Sequence, residues 1–230
     1  WIMAGALDRK AVDAELLSYE GTFGVGYGVA SFAVGARDET RNCVERFEAL
    51  EKERLAKRRA AEDIYVKLAR YSLETFVTTG ERAAFPDRLP KELTERKAGV
   101  FVSLKKDGRL RGCIGTFLPC EDSIAAEILR NAVSACSEDP RFSPVRKSEL
   151  PSLVYSVDVL GEPELTDMDG LDAKHYGVIV EAENGRRGLL LPDLAGVDTV
   201  EEQVSIARQK GNIPPDEKVR LWRFEVVRHK

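Results

Sequence analysis

The chain has 230 residues, 43% of them hydrophobic and 32% charged, with a formal net charge of −4 and a pI near 5.5. That composition supports one substantial core with room for a small extra unit, and it lacks the basic footprint of a nucleic-acid binder. No apolar run approaches the roughly 18 residues that cross a bilayer and no secretory signal is present, so nucleic-acid and membrane partners are not expected and the cytoplasm is the expected location.

The chain opens on Trp1-Ile2-Met3-Ala4-Gly5, which reads as a strand with no partner before it, so an upstream segment is expected to be missing. Asp8 is placed to cap a short helix reaching about Leu17, and Gly24 to Val34 reads as a buried closing strand. Together they make a short β-α-β piece over residues 1–38. Its Gly24-Val25-Gly26-Tyr27-Gly28 lacks the later glycine of a GxGxxG loop, which argues against dinucleotide binding. Glu39 to Thr79 reads as helical throughout, stopped by Gly80. Glu48 to Arg59 alternates Glu, Lys and Arg in the manner of a solvated linker, whereas Ile64, Leu68, Ala69, Leu73, Phe76 and Val77 form a core-facing stripe. The expected organisation is therefore a remnant over 1–38, a charged helical linker over 39–61 and a principal domain over 62–230.

In that domain, Val100 to Leu104 and Leu110 to Phe117 flank Asp107-Gly108, the strongest short-range hairpin signal. A helix follows from about Glu121 to Ser137, ended by Asp139-Pro140-Arg141-Phe142. Strands are expected over Leu153 to Leu160, Tyr176 to Glu181 and Gly188 to Leu191, the last two joined at Asn184-Gly185. A helix from Val200 to Lys210, stopped by Gly211, leads to a final strand through Leu221 to Val227. Hairpins and separate helices without βαβ alternation point to an α+β fold around a mostly antiparallel sheet flanked by helices.

Leu110-Arg111-Gly112-Cys113-Ile114-Gly115-Thr116-Phe117 carries the chemistry worth weighing. The thiolate is the nucleophilic form of cysteine, a neighbouring guanidinium favours it, and glycines let a substrate or a second backbone approach closely. The same motif also fits a packed strand bend around a buried cysteine. The four cysteines include no CxxC pair and the only histidines are His175 and His229, so no zinc site of familiar spacing is present. Cys136 falls on an apolar helix stripe with Ile124, Ile128, Leu129, Ala132 and Val133, as a core residue would. His175 is the natural proton carrier if Cys113 is a nucleophile. Arg111 and Arg141 can converge on an anionic ligand, although Asp139 offers Arg141 a local partner.

Leu110 through Phe117, Asp139-Pro140-Arg141-Phe142, His175-Tyr176-Gly177-Val178, Arg187 through Pro192 and the closing Trp222-Arg223-Phe224 together resemble the AMMECR-one domain family over residues 62–228. The resemblance implies a two-lobed α+β domain with a cleft lined by the arginine-glycine-cysteine motif. Gly5-Ala6-Leu7-Asp8 and Leu17 through Tyr27 resemble the last strands of a class III extradiol dioxygenase-like domain of the LigB and MEMO kind. In the fused arrangement that this resembles, the pair is associated with a radical-SAM protein as the AmmeMemoRadiSam system. The ferrous-iron ligands of that family lie upstream of the matched tail, so no cofactor is expected in these residues and iron is expected only in the upstream half.

The functional expectation is a cysteine-dependent small-molecule or modification enzyme domain, with Cys113 and His175 as catalytic candidates and Arg111, Gly112, Gly115 and Arg141 as ligand-binding candidates. The alternative is a non-catalytic interaction or scaffold domain that receives a protein segment or a product from the upstream module.

Overall fold

Residues 2–22 and 25–230 are described by a computed structural model, in which the chain divides into two units, 1–60 and 61–230. In the first, Ile2–Ala6 form a short helix (α1), Lys10–Thr22 and Val25–Arg37 form the antiparallel strands β1 and β2, and Cys43–Ala61 form helix α2. Trp1 and Gly24, the first residues of the two expected strands, lie outside the described residues, and from Ile2 the opening segment is helical.

Residues 10–17 run as the first half of β1 instead of a helix capped by Asp8. The Asp8 carboxylate accepts instead from the Val44 N–H (3.2 Å), in the first turn of α2. The cause is long-range pairing: Asp13 lies opposite Ala33 and Glu15 opposite Ser31, and an alternating segment becomes a strand once such a partner is supplied. The piece is thus a helix followed by a hairpin, not β-α-β. Every described β2 side chain is exposed, contrary to the buried strand expected, because within this unit the hairpin is two-stranded. Helix α2 buries nothing and carries Glu51–Arg54 (2.8 Å) and Glu53–Lys57 (2.7 Å) ion pairs along its surface.

The expected continuous helix breaks at Glu62-Asp63. Asp63 adopts an extended backbone and its carboxylate accepts from Tyr65 N (3.0 Å) and Val66 N (3.1 Å), so it starts a new helix, α3 (Ile64–Thr79). Gly80, with φ +80°, closes α3 by donating its N–H to Phe76 O (2.8 Å). A short helix α4 (Lys91–Glu95) precedes the hairpin β3 (Val100–Lys106) and β4 (Arg109–Gly115), turned at Asp107-Gly108 with φ +52° and +76°. Helix α5 (Ile124–Ser137) starts at its Ser123 cap, three residues later than expected. A 3-10 turn over Lys147–Ser152 leads into β5 (Leu153–Leu160). Then come β6 (Glu164–Thr166), which sequence reading missed for its brevity, β7 (Gly177–Ala182), β8 (Arg187–Leu190) and α6 (Val200–Lys210).

The expected single closing strand is two: β9 (Val219–Phe224) and β10 (Val226–His229), separated at Glu225. This interruption lets one segment serve two antiparallel sheets. β10 joins β10-β5-β3-β4, while β9 joins β6-β9-β7-β8. Helices α3 and α5 pack on the first sheet around Val66, Leu73, Val102, Leu104, Ile128 and Tyr155. Helix α6 covers the second around Val178, Val180, Leu190, Val204 and Ala207. A third cluster, Leu160, Ile179 and Phe224 with Phe101, Phe117 and Trp222 against it, draws on both sheets and joins them. The fold is α+β with antiparallel sheets, as expected.

Candidate functional site

β4 is the edge strand of its sheet, and an edge strand presents unpaired peptide groups. Leu104 faces Gly112 and Lys105 faces Leu110, so Arg111 is the extra residue of a β-bulge. Freed from the ladder, its guanidinium grips Glu149 with Nε on Oε1 (3.0 Å) and Nη2 on Oε2 (2.9 Å), and its Nη1 donates to Ser143 O (3.0 Å). Arg111, the Arg146 N–H and Lys106 hold the Glu149 carboxyl down at about 2, the Arg111 hydrogen bonds being the largest cause. This bidentate pair commits Arg111 to Glu149.

Gly112 has a packing cause: a Cβ there would stand 2.2 Å from Ala135 O on α5. At Gly115 a Cβ would stand 2.3 Å from the Phe101 ring and 2.5 Å from Val100 O. The close approach that these glycines admit is thus to the protein's own backbone and core.

Cys113 lies between them, half-buried, opposite Ser103 on β3. The Ser103 hydroxyl donates to its Sγ at 3.1 Å. Its N–H donates to Asp139 Oδ2 (2.8 Å), and its carbonyl accepts from Arg141 Nη2 (3.1 Å). Asp139 and Arg141 are themselves joined twice, at 2.9 and 2.7 Å. The Asp139-Pro140-Arg141 turn that ends α5 therefore clamps both peptide groups of Cys113. Asp139 is buried and Arg141, with the backbone donors, holds its carboxyl down at about 2. Phe142 lies beneath both guanidinium groups, 6.0 Å from Arg111 and 5.5 Å from Arg141.

The structure brings Cys113, Arg141 and Asp139 together, and sets Arg111 beside them on Glu149. It does not bring His175 to Cys113. The His175 side chain is 77% exposed, its Nδ1 lies 2.8 Å from Asp172 Oδ2, and no hydrogen bond joins it to Cys113 among the described residues. Besides the Arg141 guanidinium, Lys210 at the end of α6 interacts electrostatically with Cys113. Lys210 as a residue is exposed, yet protein crowds its ammonium enough that burial holds it below the usual lysine value; Arg141 pushes in the same direction and Cys113 opposes them. Sequence reading missed Lys210 because its position just before a helix stop carries no chemical signal, and missed Glu149 because 38 residues separate it from Arg111.

The other thiols are distinct. Cys136 is buried, and desolvation pushes it up to about 11. Cys120 is exposed beside the Arg130 guanidinium. A largely apolar groove of about 240 Å³, lined by Phe117, Leu118, Pro163, Ile179 and Trp222 with the Arg187 side chain, lies where the two sheets meet. Among the described residues no three His, Cys, Asp or Glu side chains converge as a metal site, and no helix is long and apolar enough to cross a membrane.

The antiparallel α+β fold of this domain is shared with known proteins. Residues 66–229 match AMMECR1, and the chain belongs to that family. It is 48% identical to Protein CA_C1420 of Clostridium acetobutylicum over its whole length, but spans only 48% of that relative. It is 50% identical over 169 residues to a protein of Thermotoga maritima, covering 72% of this chain and 97% of that one. Among solved structures it is similar to the uncharacterized protein PH0010 from Pyrococcus horikoshii, with a TM-score of 0.67 at 32% identity, covering 73% of this chain and 89% of that one.

Proposed function

We propose that this AMMECR1 domain is a cysteine-dependent enzyme domain that acts on a small molecule or modifies a protein segment through Cys113 Sγ. The observation that carries this reading is the clamp. Asp139 and Arg141 hold the peptide groups on both sides of Cys113, while the thiol stays half-exposed beside the Ser103 hydroxyl. A nucleophile needs this rigid placement by neighbouring hydrogen bonds. In this proposal Lys210, which interacts electrostatically with Cys113, takes the place of His175 as the proton carrier. The same proposal reads residues 1–38 as the closing part of an extradiol dioxygenase-like half, with a radical-SAM protein as system partner. The two-sided exposure of the β1–β2 hairpin supports a covering partner for that unit.

A second reading, a non-catalytic interaction domain, is favoured by the apolar groove at Phe117, Leu118 and Trp222, which suits a docked segment. Alkylation of each cysteine against pH, followed by mass spectrometry on the native protein, separates them. Cys113 is expected to react with native-state kinetics and faster than Cys136, and Lys210→Gln is expected to shift its pH profile. Protection of Cys113 until the protein unfolds, with loss of stability in Cys113→Ser, would assign the motif to packing and leave the interaction reading.

A further inference from the structure

Beside Arg111 lies a concavity of about 410 Å³ between the β3–β4 hairpin and the 3-10 turn. Its walls include Lys106, Arg111, Phe142, Arg146, Ser148 and Glu149. The charges do not cancel. Glu149 is matched by the bidentate Arg111, with Oε2 also accepting from the Arg146 N–H (3.0 Å). Lys106 touches the same carboxylate only at 3.4 Å with its side chain 36% exposed. The exposed Arg146 guanidinium has no ion-pair partner among the described residues. Two cations therefore remain, alongside the exposed Ser143 and Ser148 hydroxyls, in a chain whose overall charge is negative.

We infer that this concavity binds a phosphorylated small molecule, its phosphate held by Lys106, Arg146 and the Ser143 and Ser148 hydroxyls and its organic part lying against Phe142. A phosphate monoester near neutral pH carries close to two negative charges and several acceptor oxygens, which match the two uncompensated positive charges and two hydroxyls. A single carboxylate carries half that charge. Guanidinium suits phosphate in a fork geometry and ammonium adds a point charge. The volume exceeds what a bare phosphate needs and falls in the range of small-molecule sites. Arg111 and Arg141, the candidate anion-binding arginines of the sequence, each hold a carboxylate of the protein, whereas Arg146 holds none and Lys106 only a longer contact.

The site is independent of the thiol chemistry proposed above, so its test is too. Phenyl phosphate and inorganic phosphate are titrated into the full chain by calorimetry at two salt concentrations, with malonate as a dicarboxylate control. The expected result is saturable binding, tighter for phenyl phosphate than for inorganic phosphate, unchanged in Cys113→Ser and weakened roughly tenfold by Arg146→Gln or Lys106→Gln, the effect of losing one charge-assisted contact. Lys147→Gln, a neighbouring cation outside the lining, should leave it unchanged. Thermal melts of each variant identify any loss that is merely unfolding, and Arg146→Gln, at an exposed side chain, is the variant that decides. Absence of binding, equal loss in Lys147→Gln and Arg146→Gln, or malonate binding as tightly as phenyl phosphate would each overturn the assignment.

Discussion

Asp139 and Arg141 show how a residue's role depends on what the turn places opposite it. The sequence reading offered Arg141 either a ligand or Asp139, and the structure gives it both Asp139 and the Cys113 carbonyl. The pH behaviour follows. Asp139 and Glu149 each sit at about 2 in the folded chain, below the usual range of roughly 3.9 to 4.3 in an unfolded one. A carboxyl with a depressed folded pKa contributes stability that is complete above its unfolded value and lost as pH falls through its folded value. Thermal midpoints measured from pH 6 to pH 2 should therefore fall mainly between about pH 4 and 2. Asp139→Asn should flatten that acid limb and lower the neutral stability by about 1.5–3 kcal/mol for the charge-assisted bonds lost. An unchanged acid limb would dissociate Asp139 from it.

At the scale of elements, α5 is anchored by a buried polar network that the hydrophobic pattern concealed. Glu127 is fully buried, and its carboxylate accepts from the Cys120 N–H, the Glu121 N–H (2.8 Å), the Thr116 hydroxyl (2.9 Å) and Asn131 Nδ2 (3.1 Å). Asn131, one turn on, also donates to Val100 O (3.0 Å), tying the helix to β3. These bonds hold the 116–121 loop outside the helix, which explains why α5 starts at Ile124 and not at Glu121. Glu127→Ala would strand several buried donors and is expected to cost about 3 kcal/mol. Hydrogen exchange is the more specific readout, since the Cys120 and Glu121 amides should lose protection while the middle of β3 keeps it. Retained protection at those two amides would remove Glu127 from its anchoring role.

For the whole molecule, the division at Ala60/Ala61 separates a unit with an exposed hairpin and a helix without buried residues from a unit with two cores. Residues 62–230 retain the Asp63 cap of α3 and the stacking of His229 on Tyr65 at 3.7 Å, which ties the end of the domain to its beginning. A fragment of those residues should unfold cooperatively with a midpoint within a few degrees of the full chain's, as expected when the removed part buries little of the cores. The hairpin exposes Leu16, Tyr19, Tyr27 and Val29, and unpaired apolar strands promote association. Sedimentation should accordingly show concentration-dependent association of the full chain that the fragment lacks. A fragment that fails to fold would show that the first unit contributes to the core.

What the sequence by itself determined is what short-range physics controls. Asp107-Gly108 set the hairpin turn because type-specific positive φ favours those residues, Gly80 stopped α3 for the same reason, and the 3.6-residue stripe of α5 placed Cys136 inside. The antiparallel α+β class followed from hairpins without crossover helices. Tertiary structure alone decided the rest. The conversion of residues 10–17 to strand, the switch of sheet at Glu225, the pairing of Arg111 with Glu149, and the clamp of Asp139 and Arg141 on Cys113 all join residues far apart in the chain. Local propensity differs by less than about 1 kcal/mol per residue, so a partner supplied from a distance outweighs it, and which partner arrives is a property of the packed fold.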